Sequence, residues 1–214
     1  FVEPEGYLVT RFIEARIPPP EELRAPAQLA RVAAALRAFH AGGPLPARFD
    51  SFRVVEVYHA TAAAHGVVPP RGFDRAQEVA GRIEAARGAV PPRPCHNDLL
   101  NANFLDDGER LWIVDWEYAG MGDPFFDLAN FSINHELDDD ANRELLAAYA
   151  GELRSEDERA LRLMRFMSDF REAMWGVVQQ GISALDFDFV AYADEHFERL
   201  ERTAAEPGFR AALG

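Results

Sequence analysis

Residues 94–105, PCHNDLLNANFL, and the run at 111–118, LWIVDWEY, decide the reading of this chain. His96 stands two residues before Asp98, Asn103 five residues after it, and Asp115 twelve residues further on, at the end of an apolar stretch. That order is the H-x-D-x-x-x-x-N and hydrophobic-Asp layout of kinase-type phosphoryl transfer to a hydroxyl. Such a reaction needs little covalent help; it needs the acceptor hydroxyl held in line and the phosphate charge neutralised. Asp98 then takes the hydroxyl proton. Mg²⁺ is a hard ion that takes oxygen ligands, which suits Asn103 and Asp115 as the pair that holds the metal and, through it, the nucleotide ATP. His96 shapes the loop rather than reacting. Leu111, Trp112, Ile113 and Val114 read as a buried strand that delivers Asp115 at a rigid end.

The stretches HNDLLNANFL (96–105), VDWEY (114–118) and FFDLANFSINHEL (125–137), with AMWGVVQQGISALDFDFVAYADEHF (173–197), resemble the choline and ethanolamine kinase family, within the wider aminoglycoside-phosphotransferase-like kinases. The resemblance covers nearly the whole chain. It implies an α/β, predominantly helical fold, the protein-kinase-like C-terminal lobe with short strands around the catalytic loop. It implies ATP and Mg²⁺ as cofactors and a small cationic alcohol as acceptor. In that family Asp98 matches the catalytic base, Asn103 and Asp115 the metal ligands, and Asp127 an acidic residue that buttresses the catalytic loop. Trp175 matches an aromatic residue of the quaternary-ammonium pocket. Ala102 stands where eukaryotic members tend to have Gly, and Glu172 where they place a second aromatic.

The residues themselves carry a substrate reading too. A quaternary ammonium has no N–H to donate, so aromatic faces with negative charge nearby select it. Trp175, Tyr118, Phe187, Phe189 and Tyr192 offer such faces, and Glu117, Glu136, Asp186 and Asp188 offer carboxylates. Tyr118 and Glu117, just past the metal Asp, join Trp175 as expected substrate contacts; Phe187 and Phe189 read as core.

All 22 basic residues are Arg, and no G-x-G-x-x-G occurs. Kinase-like folds hold nucleotide phosphates with a Lys on an N-terminal lobe under a Gly-rich loop. The expectation is that 1–16 form the last strand of such a lobe and its hinge, with Pro4–Gly6 turning into a strand over 7–13. Residues 17–214 then form the helical catalytic and substrate lobe, and the rest of the N-terminal lobe is absent, so that 1–214 alone is inactive. Kinases of the same fold for thiamine or an aminoglycoside, and a non-catalytic small-molecule binding module, are the competing readings.

Composition is that of a globular unit able to bury a large core, with 48% hydrophobic and 27% charged residues. A net charge of −14 disfavours nucleic acid as a partner. No apolar run approaches the ~20 residues needed to span a bilayer, no signal peptide is expected, and the lone Cys95 excludes an internal disulfide. The expected compartment is cytoplasmic.

Apolar period and breakers predict helices over 27–40, 54–64, 73–87, 140–149, 155–185 and 188–202. The segment 17–20 (IPPP) and GMGDP (120–124) read as a loop and a turn, the latter opening a helix that carries Asp127.

Overall fold

Prolines and capping aspartates start the helices where the apolar period begins. The computed structural model describes residues 9–214. Helices α1 (Pro20–Leu23) and α2 (Pro26–His40) both begin on a proline, whose missing N–H costs nothing in a first turn. The IPPP segment therefore ends inside a helix instead of a loop. Helix α3 (Ser51–Ala64) starts three residues before the expected Val54 because the Asp50 carboxylate caps it, accepting the N–H groups of Phe52 and Arg53 at 3.0 and 3.2 Å. Helix α4 (Phe73–Arg87) has the expected bounds.

Four short strands follow: β1 (Arg93–Cys95), β2 (Phe104–Asp106), β3 (Leu111–Ile113) and β4 (Gly120–Gly122). They make two antiparallel pairs, β1 with β4 and β2 with β3, in the registers Cys95↔Gly120 and Phe104↔Ile113. A 3₁₀ turn at Asn101–Asn103 leads into β2. The segment read as a turn at 120–122 is thus a strand. A Cβ on Gly122 would come within 2.9 Å of the Phe49 carbonyl oxygen, and one on Gly120 within 3.0 Å of the Arg48–Phe49 backbone. Met121 exchanges backbone hydrogen bonds with Ala47 and Phe49 there, so only glycine lets that loop close on the strand.

Asp123 caps α5 (Pro124–Asn134) and Asp138 caps α6 (Asp139–Ala150). Then come α7 (Ser155–Ile182), α8 (Phe189–Ala205), which ends three residues beyond the expected 202, and α9 (Pro207–Leu213), which the sequence reading did not anticipate. The 28 residues of α7, about 42 Å at the helical rise, carry Leu163, Met164, Met167, Phe170, Met174 and Val177, each at most 1% exposed. A helix apolar on several sides has to be surrounded: α3, α5 and α8 pack on it, while α2 packs on α6. The fold is mostly helical, with its strands gathered around 93–122.

The strand expected over 7–13 lies partly outside the described residues. Residues 9–15 carry no strand, since no described strand runs beside them; only Arg16 forms a single antiparallel bridge, to Asp106. No helix among the described residues is long and apolar enough to cross a membrane.

Candidate active site

Helix α5 holds the loop 96–103 in shape through one polar stripe, Asp127, Asn130 and Asn134, spaced to lie on one helical face. The fully buried Asp127 carboxylate accepts the backbone N–H of His96 at 2.8 Å and of Asn97 at 2.7 Å. His40, the last residue of α2, adds its Nε2 at 2.9 Å. A carboxylate only accepts, so that nitrogen carries the proton, and His40 Nδ1 is left to accept from the Tyr149 hydroxyl at 2.7 Å. Asn130 Oδ1 accepts the Leu99 N–H at 2.5 Å, and Asn134 reaches the Leu99 carbonyl. Under this grip Asn97 adopts φ 68°, a left-handed conformation that its side chain tolerates by bonding the Cys95 and Tyr118 carbonyls.

The sequence-selected residues meet around this loop. His96 bridges it to the strand side: Nε2 donates to the Val114 carbonyl at 2.9 Å, and Nδ1 accepts from the Asp98 N–H at 3.3 Å. The Asn103 amide donates to the Asp98 carbonyl at 2.9 Å, while the Asn103 carbonyl accepts the Val114 N–H at 3.0 Å, beside Asp115. Asp115 is exposed, makes no hydrogen bond or ion pair among the described residues, and is held at φ 64°. A non-glycine residue in that region costs free energy and is found where the surroundings impose it. With its N–H₂ spent on Asp98, Asn103 keeps a side-chain carbonyl; with the free Asp115 carboxylate, the donors are hard oxygens, the set Mg²⁺ takes.

Asp98 is only 8% exposed, and burial raises its pKa above the usual carboxylate range; Arg171 opposes that rise and Glu172 adds to it. Arg171 is the residue the sequence reading missed. Among the described residues it is the largest fully buried side chain; its Nη1 donates to Asp98 at 3.3 Å and also to Glu172, and its guanidinium lies 4.6 Å from the Tyr118 ring centre. Burial works against this cation, but Glu172, Tyr58 and Asp98 outweigh it and hold its pKa above the ordinary value. The Nε and Nη2 atoms have no hydrogen-bond partner.

Beyond Arg171 the aromatic residues gather. Trp175, half-buried, lies beside Tyr118 and sits edge-on to Phe189 and Tyr192, each 5.7 Å away between ring centres. Phe187 joins at 4.9 Å from Phe189 and is exposed, unlike the core position expected for it, whereas Phe189 is buried as expected. The Tyr192 hydroxyl donates to Glu172 at 3.0 Å. The carboxylate of this cluster is therefore Glu172. Two of the acids selected from sequence serve elsewhere: Glu136 pairs with Arg24 at 3.0 Å, and Asp188 caps α8. Glu117 is exposed on the turn after Asp115, where it makes no hydrogen bond or ion pair among the described residues.

His40, Cys95 and Asp127 place three potential metal-ligand atoms within 4.8 Å. Both Asp127 oxygens are already taken by N–H donors, and burial, with Asp127 next to it, pushes the Cys95 thiol up. The cluster works as the anchor of the loop, not as a metal site.

The phosphotransferase enzyme family matches residues 2–164. A choline/ethanolamine kinase family protein from Mesorhizobium loti is 35% identical and superimposes with a TM-score of 0.90 over the whole of this chain and 75% of that one. The protein LicA of Haemophilus influenzae is 31% identical over 115 residues, half of this chain; the match spans 43% of LicA's length. Choline kinase LicA from Streptococcus pneumoniae, 20% identical, shares the fold with a TM-score of 0.74 over 90% of this chain and 67% of that one. With these matches the chain belongs to the phosphotransferase enzyme family, in its choline/ethanolamine kinase group.

Proposed function

We propose that this chain forms the acceptor and metal side of an ATP-dependent phosphotransferase acting on the hydroxyl of choline or a related amino alcohol. The observation that carries the reading is the junction at Asn103, which hydrogen-bonds Asp98 with its side chain and Val114 with its backbone. Proton acceptor and metal ligands are thereby tied into one unit.

On this reading Asp98 receives the hydroxyl proton as the acceptor oxygen attacks, and its raised pKa brings it closer to a useful general base at neutral pH. Arg171 keeps Asp98 oriented and ionised. Asn103 and Asp115 would hold Mg²⁺, which when bound neutralises phosphate charge and aligns the terminal phosphoryl group. Trp175 and Tyr118 offer faces to the ammonium group, and Glu172 supplies the negative charge behind them. The 214 residues contain no Lys. The isolated polypeptide is therefore expected to transfer phosphoryl groups far more slowly than a protein that also supplies a phosphate-holding lysine.

ADP release from Mg-ATP, measured in the full natural protein with choline, ethanolamine and kanamycin as acceptors, tests the assignment. Turnover on the amino alcohols and little on kanamycin is expected. Preference for kanamycin would move the chain to the aminoglycoside side, and turnover on none of the three would remove the reading.

A further inference from the structure

Away from the catalytic loop, a cavity of about 420 Å³ opens between the end of α5 and helices α6, α7 and α8. That volume suits a small organic ligand. Five arginines line it, Arg143, Arg162, Arg165, Arg199 and Arg202, with four acids, Asp138, Asp139, Glu158 and Glu206, a small cationic excess in a chain whose net charge is −14. None of the loop 96–103, the metal-ligand pair or the aromatic cluster contributes to its walls.

The arginines differ in how far their charge is already answered. Arg143 holds Glu158 at 3.0 Å and Arg199 holds Asp169 at 2.8 Å. Arg162 and Arg202 reach Asp139 and Glu198 only at 3.6 and 3.7 Å, too long for a good charge-assisted hydrogen bond. Arg165, half-buried on α7 one turn from Arg162, makes no hydrogen bond or ion pair at all among the described residues. Burial pushes its pKa below the ordinary guanidinium range, and Asp169, Asp139 and Glu206 pull against this without pairing with it. A partly desolvated cation of this kind is costly to keep unless something answers it.

We propose that this cavity binds a small phosphate monoester, with Arg165 as the central contact of the phosphate and Arg162 and Arg202 beside it. A guanidinium fork matches phosphate oxygens two at a time, and a doubly charged group can engage several forks at once. Ile133, Leu137, Leu146 and Leu161 form an apolar part of the same wall, which suits the ester's carbon portion.

Calorimetric titration of the purified protein with glycerol 3-phosphate, in EDTA so that the catalytic side holds no divalent ion, tests this. Inorganic phosphate, glycerol and malonate serve as comparisons. Saturable binding of glycerol 3-phosphate is expected, weaker binding of phosphate, and none of glycerol. Arg165→Gln should weaken the ester by about tenfold or more, and Arg202→Gln should weaken it too, which keeps the test open if the first variant folds poorly. No saturable binding at millimolar ester, undiminished affinity in both variants, or malonate binding as tightly as the ester would overturn the proposal.

Discussion

Arg171 Nη1 lies 3.3 Å from the Asp98 carboxylate and donates at the same time to Glu172. One buried cation thus stands between the group proposed to take the substrate proton and the carboxylate of the aromatic cluster. Replacing it with Met would leave two buried carboxylates facing each other. Asp98, already raised by burial and by Glu172, would lose the charge that lowers it. Asp98 has to be ionised to act, so the acid limb of the pH–rate profile should move to higher pH in Arg171→Met. Stability at neutral pH should fall by about 3 to 5 kcal/mol, the scale for breaking a buried ion pair from one side. Profiles and denaturant melts of the two proteins check both; an unmoved acid limb would separate Arg171 from the chemistry.

Asp127→Ala removes the acceptor of three donors in a dry site, the N–H groups of His96 and Asn97 and the His40 ring. A loss of about 3 to 5 kcal/mol is expected from unfolding curves, because stranded buried donors cost more than the bonds contribute. Asp127→Asn, with one acceptor oxygen left, should lose less.

His135 is fully buried, stacked on Phe131 at 4.1 Å, with Nδ1 donating to the Phe131 carbonyl and Nε2 unpartnered. Burial lowers its pKa from 6.5 to about 4. The unfolded chain therefore binds this proton first. Its stabilising contribution is complete above pH 6.5 and is lost as pH falls toward 4, amounting to about 3 kcal/mol. His135→Leu should flatten the stability profile across that window by this amount, measured by urea unfolding at a series of pH values; parallel profiles would contradict it.

That His96, Asp98, Asn103 and Asp115 gather around one loop was legible because their spacing is local, all within one short stretch. Helix bounds were legible where glycines mark both ends, as at α4; the short proline-led helices α1 and α9 were not, nor was the start of α3, which the Asp50 cap moves. The anchors from distant segments were not read. His40 closes α2 and continues its buried stripe of Leu29, Val32, Ala33 and Leu36. Arg171 sits at the same spacing among Met167, Phe170, Met174 and Val178. A polar residue on an apolar stripe was the available signal in both cases. What it pairs with, 73 residues away for Arg171, is set by packing that spacing does not record.

Trp175 separates a pocket wall from a core residue. If it faces the ammonium group, Trp175→Ala weakens choline by about 1 to 2 kcal/mol. It should weaken the neutral isostere 3,3-dimethylbutan-1-ol by less. Titration calorimetry of both ligands, with a thermal melt of the variant, checks this. Equal losses for the two together with a large fall in melting temperature would assign Trp175 to the core.

The most direct test of the account is the turnover of Asp98→Asn in the full natural protein with Mg-ATP and choline. The amide keeps the shape of the side chain and removes the proton acceptor. A fall in kcat of about 100-fold or more, the scale of general-base catalysis, with KM for choline little changed, is the predicted result. Near-normal turnover of Asp98→Asn would contradict it.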